Sequence, residues 1–375
     1  MMKLLSTLFF LLALSVSTGH AQETSADVLA TAQRVNAYFM NRHPDPTADT
    51  FVGKRRPSNL WTRAVYYEGL MGLLPLLNDN DSALHYAVTW AEFHRFMPRN
   101  GLKTTDADDQ CCGQTYVELM PYLSASDGYT IGNVRVNLDS QMGTGRTDYW
   151  TWIDALQMAM PLYAQMYKQT GQRRYLDYAM ACYRWTRNQC GGGLFNESAG
   201  LWWRDKDFVP PYKEADGNDC FWSRGNGWVY AALARVMDVI GTKDKYYKEL
   251  RRDFLLMSRA LLACQRADGL WNVSLVSPST YGGKELTGSS LFLYGMSWGI
   301  RAGVLKDKVY RPVCARTWQG MKSCVHPNGF LGYVQGTGKE PKDGQPLSYD
   351  RVPDFEDFGT GCFLLGATAW CRLLQ

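Results

Sequence analysis

Asp154 is the residue of this sequence whose surroundings are best suited to proton transfer. It lies in residues 149–156, YWTWIDAL, where three aromatic rings neighbour a carboxyl group near the start of an apolar helical pattern. Poor hydration raises the pKa of a carboxyl group, which then keeps a proton near neutral pH and can act as a general acid. Two ordinary roles remain open: a carboxylate favoured by the helix dipole, or a partner of Arg146.

A second group of carboxyl groups lies in residues 106–109, DADD, just ahead of a helical pattern that starts at Gln110. One of the three aspartates is expected to cap that helix, and the other two exceed what capping needs. If one of them meets Asp154 in a cavity, the two form an acid and base pair. A metal site is the weaker alternative, because no histidine or further carboxylate stands nearby at ligand spacing.

Residues 222–228, WSRGNGW, combine groups that suit a sugar acid. Arg224 offers a planar fork for a carboxylate, the two tryptophans offer flat faces for a sugar ring, and the two glycines permit a positive φ or a close backbone approach. An apolar helical pattern follows over residues 229–240, so the segment is predicted to lie at a helix entrance. The alternative is a turn bent at the Asn-Gly pair, with two core tryptophans.

The elements that must position these groups are helices, since the hydrophobic period indicates twelve helical segments and no convincing alternating strand. The predicted helices span residues 26–41, 61–76, 82–97, 110–123, 133–142, 149–170, 173–188, 227–240, 245–265, 288–302, 310–324 and 360–374. Alternating short and long loops favour an all-α fold with two concentric rings, a single (α/α)6 barrel. The pattern does not separate this barrel from an α-solenoid. Three long loops, 191–223, 267–287 and 327–358, are expected to carry function.

The ends and the charge of the chain limit its location and partners. Residues 1–21 have a lysine at position 3, an apolar run over 4–16 and a small residue at Ala21, which predicts a signal peptide. We therefore expect an exported, periplasmic or secreted protein in which residues 22–375 form one catalytic domain. A formal net charge of +4 without a basic cluster argues against nucleic acid, and no later apolar run is long enough for a membrane span.

Cysteine and aromatic residues are the remaining compositional signals. The ten cysteines include no CxxC pair, so no zinc site is indicated and mostly buried thiols are expected. A strained disulfide between Cys111 and Cys112 is the alternative. The 13 tryptophans and 22 tyrosines suggest stacking surfaces for carbohydrate, although large helical cores also use aromatic residues.

Five motifs, in order along nearly all of the mature chain, together resemble a known family. They are residues 106–116, 152–154, 222–228 with the apolar helix after them, 285–289 (ELTGS) and 357–361 (DFGTG). The set resembles glycoside hydrolase family 105, the unsaturated rhamnogalacturonyl hydrolases, which are close relatives of the unsaturated glucuronyl hydrolases of family 88. The resemblance implies an (α/α)6 barrel that works without a metal or an organic cofactor.

The same resemblance assigns the catalytic residues. It puts the acid and base of the family on Asp154 and the second essential carboxylate on Asp108, with Asp109 as the alternative if the register differs by one. The implied activity is removal of a terminal 4,5-unsaturated uronic acid, galacturonyl or glucuronyl, from lyase-generated oligosaccharides. In that reaction Asp154 protonates the C4=C5 enol ether and Asp108 stays ionised.

The substrate-binding residues implied by the resemblance come from three segments. Arg224 and Trp228 match binding positions of the family, Trp152 matches a ring at the sugar site, and Asn226 belongs to the same motif as Arg224. Arg204 stands where many members carry histidine after an aromatic pair, which affects which uronide and which neighbouring sugar are accepted. Either Arg224 or Arg204 is expected to hold the carboxylate of the substrate. The expected partner is a small oligosaccharide, and a monomer or weak homo-oligomer is predicted.

Three other functions are open on the residues alone. A non-catalytic exported carbohydrate-binding protein would keep the rings and Arg224, and a conventional glycosidase would act on saturated sugars. Residues 106–109 also satisfy the DxDD pattern of terpene cyclases, and residues 265–271 match QxxxGxW. The chain is shorter than those cyclases, and its arginines and tryptophans suit sugars better than an apolar substrate.

Overall fold

A computed structural model describes residues 23–124, 128–351 and 357–375, and the predicted signal peptide lies outside them. The helices of this part of the chain are α1 Ser25–Arg42, α2 Trp61–Leu73, α3 Asp81–Phe93, α4 Ala107–Gln110, α5 Cys112–Leu119, α6 Gly132–Gly143, α7 Asp154–Thr170, α8 Arg173–Asn188, α9 Ser223–Ile240, α10 Tyr247–Ala263, α11 Pro278–Tyr281, α12 Leu286–Arg301, α13 Asp307–Lys322 and α14 Asp357–Leu374. Two antiparallel ribbons accompany them: β1 Thr50–Val52 with β2 Lys54–Arg56, and β3 Phe195–Asn196 with β4 Leu201–Trp202.

Each of the twelve predicted helices has a counterpart, and the differences are local. The helix predicted over 110–123 is divided into α4, α5 and a final 3₁₀ turn. The sequence predicted no strands, but the structure has two short antiparallel ribbons. Their strands have two or three residues, which is too short for an alternating pattern to be recognised. Helix α9 begins at Ser223, so the Asn-Gly pair at 226–227 lies in its first turns and is not a bend.

Six helices form a closed inner ring. Helix α2 packs on α5, and the contacts continue in sequence through α7, α9, α12 and α14 until α14 returns to α2. Helices α8, α10 and α13 each pack against the inner helix that precedes them, and α1 packs on α14. The contact between α14 and α2 closes the ring, so the fold is an (α/α)6 barrel and not an open solenoid.

Burial explains why inner and outer helices have different compositions. Helix α14 is buried without interruption from Asp357 to Cys371, whereas α8 buries one face and exposes arginines on the other. An element that is covered on all sides must be apolar or small throughout, and an outer helix needs only one apolar stripe.

Glycine permits the closest contacts within the inner ring. A Cβ on Gly361 of α14 would overlap the backbone carbonyl of Val65 in α2, and a Cβ on Gly69 would overlap Gly361 in turn. Similarly, Gly288 of α12 lies against the backbone of Ser223 at the start of α9. The inner helices therefore approach each other more closely than larger side chains would allow.

All ten cysteines are free, and nine of them are buried, which agrees with the expectation of buried thiols and excludes the Cys111–Cys112 disulfide in this structure. None of the helices in the described ranges combines the length and apolarity that crossing a membrane requires.

Candidate active site

One cavity lies where the first turns of α2, α4, α7 and α9 meet. Its volume is about 190 Å³, smaller than the roughly 300–1,000 Å³ of pockets that take drug-sized ligands, so it suits a single sugar unit. The lining residues are Arg56, Trp61, Asp108, Trp152, Asp154, Met158, Arg204, Trp222, Arg224, Trp228, Thr337 and Gly338. Six of the predicted site residues, Asp154, Asp108, Arg224, Trp228, Trp152 and Arg204, are thus brought together.

Asp154 is the first residue of α7 and is only 8% exposed. Its Oδ2 accepts a hydrogen bond from Arg204 Nε at 3.2 Å, while its Oδ1 is buried and has no hydrogen-bond partner among the described residues. Burial raises the pKa of the Asp154 carboxyl, and the charges of Arg204 and Arg224 oppose that rise. The ion pair that the sequence left open is therefore made with Arg204, since Arg146 pairs with Asp148.

The acidic run divides into three separate roles. Asp106 caps α4 by accepting from the backbone N–H of Asp108 at 2.9 Å, as expected for one of the three aspartates. Asp109 accepts from Arg99 Nε at 2.6 Å and from Thr104 Oγ1 at 2.6 Å, so it anchors the preceding loop and does not line the cavity. Asp108 lines the cavity with Asp154, which makes it, and not Asp109, the second carboxyl group of the site.

Both carboxyl groups of the site have raised pKa values, and their causes differ. Burial raises the pKa of Asp108 to about 8, and the nearby carboxylates Asp106 and Asp154 add to the rise. Near neutral pH this favours the protonated form of Asp108, whereas the charges of Arg204 and Arg224 oppose the burial that raises the pKa of Asp154. The raised pKa of Asp154 agrees in direction with the sequence prediction, which did not include the opposing ion pair with Arg204.

Arg204 is held between two carboxylates beside the cavity. Its Nη1 donates to Asp205 Oδ2 at 2.7 Å while its Nε donates to Asp154. The backbone N–H of Ile153 donates to the Arg204 carbonyl at 2.9 Å, and Trp152 forms an isolated β-bridge with Asp205. The two carboxylates therefore hold the guanidinium, and the backbone contacts hold the main chain of Arg204 against the residues that precede α7.

Arg224 lines the cavity, but the terminal nitrogens of its guanidinium bind the loop that contains Gln335 and Gly336. Its Nη1 donates to the Gln335 carbonyl and its Nη2 to the Gly336 carbonyl, each at 2.7 Å. The guanidinium also lies over the ring of Trp222, 4.6 Å from its centroid. These contacts join the start of α9 to the loop that supplies Thr337 and Gly338 to the cavity wall.

Indole rings form much of the wall. Trp228 is nearly fully buried and meets Trp61 edge to face, with ring centroids 6.3 Å apart. Trp222 donates from Nε1 to Gln335 Oε1 at 2.8 Å, and Trp152 is half-buried beside the start of α7. Apolar ring faces with a few fixed polar groups are typical of sugar-binding sites.

Asn226 is the predicted site residue that the structure does not place in the cavity. It is 0% exposed, its Oδ1 accepts from the Trp202 N–H at 2.8 Å, and its Nδ2 donates to the carbonyls of Trp202 and Trp222 at 3.0 Å. These bonds use its amide to join β4 to the start of α9. The structure therefore gives Asn226 a role in holding the backbone, and its predicted role in substrate binding stays a prediction.

Several lining residues were missed by sequence reasoning. Arg56 is the last residue of β2, Trp61 the first of α2, and Met158 lies one turn beyond Asp154. Only the position of Met158 carried a signal, since it follows Asp154 at helical spacing; the ribbon of Arg56 was not predicted. Within the described ranges there is no group of three or more histidine, cysteine, aspartate or glutamate side chains arranged to hold a metal ion.

An (α/α)6 barrel that gathers two carboxyl groups and several indole rings at one end has the form of a carbohydrate-cleaving enzyme, and we assign the protein to the glycoside hydrolases. The sequence profile of Glycosyl Hydrolase Family 88 matches residues 31–374, so the chain belongs to this family. The membership agrees with the resemblance to families 105 and 88 and decides against the terpene cyclase.

Individual relatives agree with the family. The chain is 35% identical over 336 residues, 84% of each protein, to the unsaturated 3S-rhamnoglycuronyl hydrolase of Formosa agariphila. The solved structure of a family 88 glycosyl hydrolase from Bacteroides vulgatus is 31% identical and superposes with a TM-score of 0.83, over 94% of this chain and all of the other. A possible family 105 member from Salmonella enterica, 18% identical, shares the fold with a TM-score of 0.74 over 94% of this chain and 96% of the other.

Proposed function

We propose that this enzyme removes a terminal 4,5-unsaturated uronic acid from oligosaccharides by hydrating the C4=C5 enol ether. The observation that carries the proposal is that Asp154 and Asp108 line one cavity with Arg204 and four indole rings. A pair of carboxyl groups with different surroundings suits acid and base chemistry, the cation suits a uronate, and the rings suit a sugar. The family and the name of the Formosa agariphila relative support the same reaction.

The reaction begins with proton transfer from Asp154 to C4. The C4–H bond forms as the double bond gives up its electron pair, and positive charge develops at C5 and the ring oxygen. Asp154, now a carboxylate, takes a proton from a water molecule whose oxygen bonds to C5. The hemiketal opens as the bond between C5 and the ring oxygen breaks, which leaves a ketone at C5 and, after that oxygen takes the hydroxyl proton, a hemiacetal at C1. The hemiacetal collapses to an aldehyde as its proton passes to the departing oxygen of the next sugar, and the former uronic acid is released as a keto sugar.

Asp108 acts on charge and on water in this scheme. As a carboxylate it favours the cation that develops at C5 and accepts a hydrogen bond from the attacking water. Acid and base assistance of this kind contributes about 10²- to 10⁴-fold in rate, so positioning by the rings and arginines supplies much of the rest.

Recognition of the substrate carboxylate falls to Arg204. The terminal nitrogens of Arg224 are engaged by the carbonyls of Gln335 and Gly336, whereas no hydrogen bond from Arg204 Nη2 is present among the described residues. We therefore assign binding of the substrate carboxylate to Arg204, whereas Arg224 stabilises the loop that forms part of the cavity wall.

The neighbouring sugar, and not the uronate, determines specificity in this proposal. Elimination by a lyase makes C4 and C5 planar, so galacturonyl and glucuronyl residues give the same unsaturated ring. Discrimination must then come from contacts with the sugar that leaves. The name of the Formosa agariphila relative suggests rhamnose at that position.

The test is Asp154→Asn, assayed by the loss of ultraviolet absorbance of the conjugated alkene in lyase-generated oligosaccharides. Turnover should fall by about 10³-fold or more, since asparagine cannot supply the proton, while binding of the oligosaccharide survives. Asp148→Asn is the matched control, because Asp148 is a partly exposed aspartate six positions earlier that does not line the cavity. Near-normal loss of absorbance in Asp154→Asn rejects the assignment.

Export is proposed on the same footing. The charge at Lys3, the apolar run over 4–16 and the small residue at Ala21 support cleavage of a signal peptide. Protein recovered from the periplasm or medium of an expressing cell should begin at Gln22 when its N-terminus is sequenced. Recovery of the protein in the cytoplasm with Met1 retained would argue against export.

A further inference from the structure

We propose that the guanidinium of Arg204 is shared between Asp154 and the carboxylate of the substrate, and that this sharing moves a proton from Asp108 to Asp154 when the substrate binds. The inference rests on the proposed function, because it takes a uronate as the ligand. It makes Arg204 a positioning residue for the catalytic proton as well as a contact for the substrate.

The geometry of Arg204 allows it to serve both partners. Nε is bonded to Asp154 at 3.2 Å and Nη1 to Asp205 at 2.7 Å, while Nη2 has no hydrogen bond among the described residues and the side chain lines the cavity. The backbone of Arg204 is fixed by the N–H of Ile153. A substrate carboxylate can therefore bind the guanidinium without moving it, while Nε remains bonded to Asp154.

Four segments bring charged groups to the cavity around Asp154, and one of them is β2, which ends at Arg56. Arg204 and Asp205 lie after β4, Arg224 lies at the start of α9, and Asp108 lies in α4. Asp205 is itself bonded to Arg204, so the cation that chiefly compensates Asp154 is Arg204. In the empty site the ion pair with Arg204 favours the carboxylate form of Asp154 and opposes the burial that raises its pKa, whereas burial raises the pKa of Asp108 to about 8 and favours its protonated form.

A bound uronate reverses this preference. Its negative charge beside Arg204 reduces the compensation available to Asp154, which then favours its neutral form. The O–H bond of Asp108 breaks, one on Asp154 forms, and no proton is taken from solvent. The complex thereby acquires the arrangement that the reaction needs, with a neutral acid at Asp154 and a carboxylate at Asp108.

The decisive experiment crosses enzyme variants with substrate variants. Wild-type, Arg204→Gln and Arg204→Lys enzymes are assayed with an unsaturated disaccharide whose uronate is free or methyl-esterified. For the wild type, kcat/KM should be about 30-fold or more higher with the free carboxylate, as for a charged hydrogen bond. In Arg204→Gln this ratio should collapse toward one, while Arg204→Lys, which keeps the charge, should restore part of it.

The pH profile separates proton movement from simple binding. In the wild type, the basic limb of kcat should lie about one pH unit above that of kcat/KM, because the bound carboxylate holds the proton of the pair more tightly. The ester should show no such gap. In Arg204→Gln the limb of kcat/KM should itself move to higher pH, since removal of the cation also favours the protonated pair.

Two results overturn the inference while leaving the proposed function intact. One is an equal loss of kcat/KM for both substrates in Arg204→Gln and Arg204→Lys variants whose circular dichroism matches the wild type, which marks a structural role. The other is a wild-type enzyme whose kcat and kcat/KM limbs coincide. Failure of the wild type to consume the alkene in either substrate contradicts the proposed function instead.

Discussion

Asp154 and Asp108 line one cavity, but the charged groups around the two carboxyl groups differ. Asp154 has an arginine on one oxygen, whereas Asp108 has further carboxylates around it. Like charges disfavour ionisation and opposite charges favour it, so the neighbours of Asp108 add to the rise of its pKa while those of Asp154 oppose the rise. Groups whose environments separate their pKa values are those that can exchange acid and base roles during a reaction.

The raised pKa of Asp108 has a consequence for stability. Between about pH 4 and pH 8 the unfolded chain carries an ionised Asp108 while the folded protein keeps it protonated, so the free energy of unfolding falls as the pH rises through this window. Asp108→Asn removes this penalty. The variant should match the wild type at pH 4 and gain on the order of 2 kcal/mol at pH 8, after discounting for partial exposure.

Urea unfolding at both pH values measures this difference. Asp350→Asn, at a well-exposed position, is the control and should follow the wild type at each pH. A variant at position 108 that is less stable at pH 8 would mean that the folded protein holds this carboxyl ionised.

At the residue scale, the sequence predicted the chemical types better than their partners. Asp154 was recognisable because three rings surround it in the chain, and that signal is local. The choice between Asp108 and Asp109 depends on which side of α4 each one faces, and Arg99 and Thr104 settle it by bonding Asp109. Such contacts depend on a loop conformation, which no spacing in the sequence records.

At the element scale, helix starts carry most of the site. Glu285, which belongs to one of the family-like motifs, caps a helix start and does not line the cavity. Its carboxylate accepts hydrogen bonds from the backbone N–H of Thr287 at 2.9 Å and of Gly288 at 2.6 Å, at the start of α12. Glu285 is fully buried, so its role is to satisfy backbone donors where α12 packs beside α9. Motif membership alone therefore does not separate catalytic residues from caps.

The contact between α2 and α14 provides a test of ring closure. Gly361→Ala places a methyl group into the Val65 carbonyl, so the helices must separate, and we expect a loss of about 3 kcal/mol in the free energy of unfolding. Gly143→Ala is the matched control, because a Cβ at that helical glycine meets nothing within 4 Å.

Thermal and urea unfolding of the two glycine variants provide the comparison. Equal stability of both variants would show that the barrel tolerates separation at this point. The hydrophobic period predicted the helices, but it did not predict the close approach of α2 and α14 at Gly361. A glycine occurs within a helix for several reasons, and the period does not distinguish them.

At the scale of the whole molecule, the barrel brings together residues from distant parts of the chain. Asp108, Asp154, Arg224 and Gly338 line one cavity although they span more than half of the sequence. The period predicted twelve helices, but closure depends on one contact between the second and the last helix of the chain. No local pattern encodes a contact at that separation, so the sequence alone did not distinguish the closed barrel from an α-solenoid.

The cavity volume and the chemistry of the alkene predict cleavage at chain ends only. Elimination by a lyase leaves the double bond on one terminal sugar, and a cavity of about 190 Å³ suits one such unit. A lyase-generated tetrasaccharide should give one keto sugar and one saturated trisaccharide, with no further shortening, when followed by mass spectrometry. Appearance of a disaccharide from the same substrate would contradict this mode of action.

The ten unpaired cysteines affect how long the enzyme survives once it leaves the native state. Nine are shielded from solvent, and unfolding exposes all ten together. In an oxidising medium the exposed thiolates can cross-link in many mismatched combinations, and each combination blocks the return to the barrel. The working lifetime of the enzyme in such a medium is then governed by the rate of its first complete opening, and a reductant added during refolding should increase the recovered fraction.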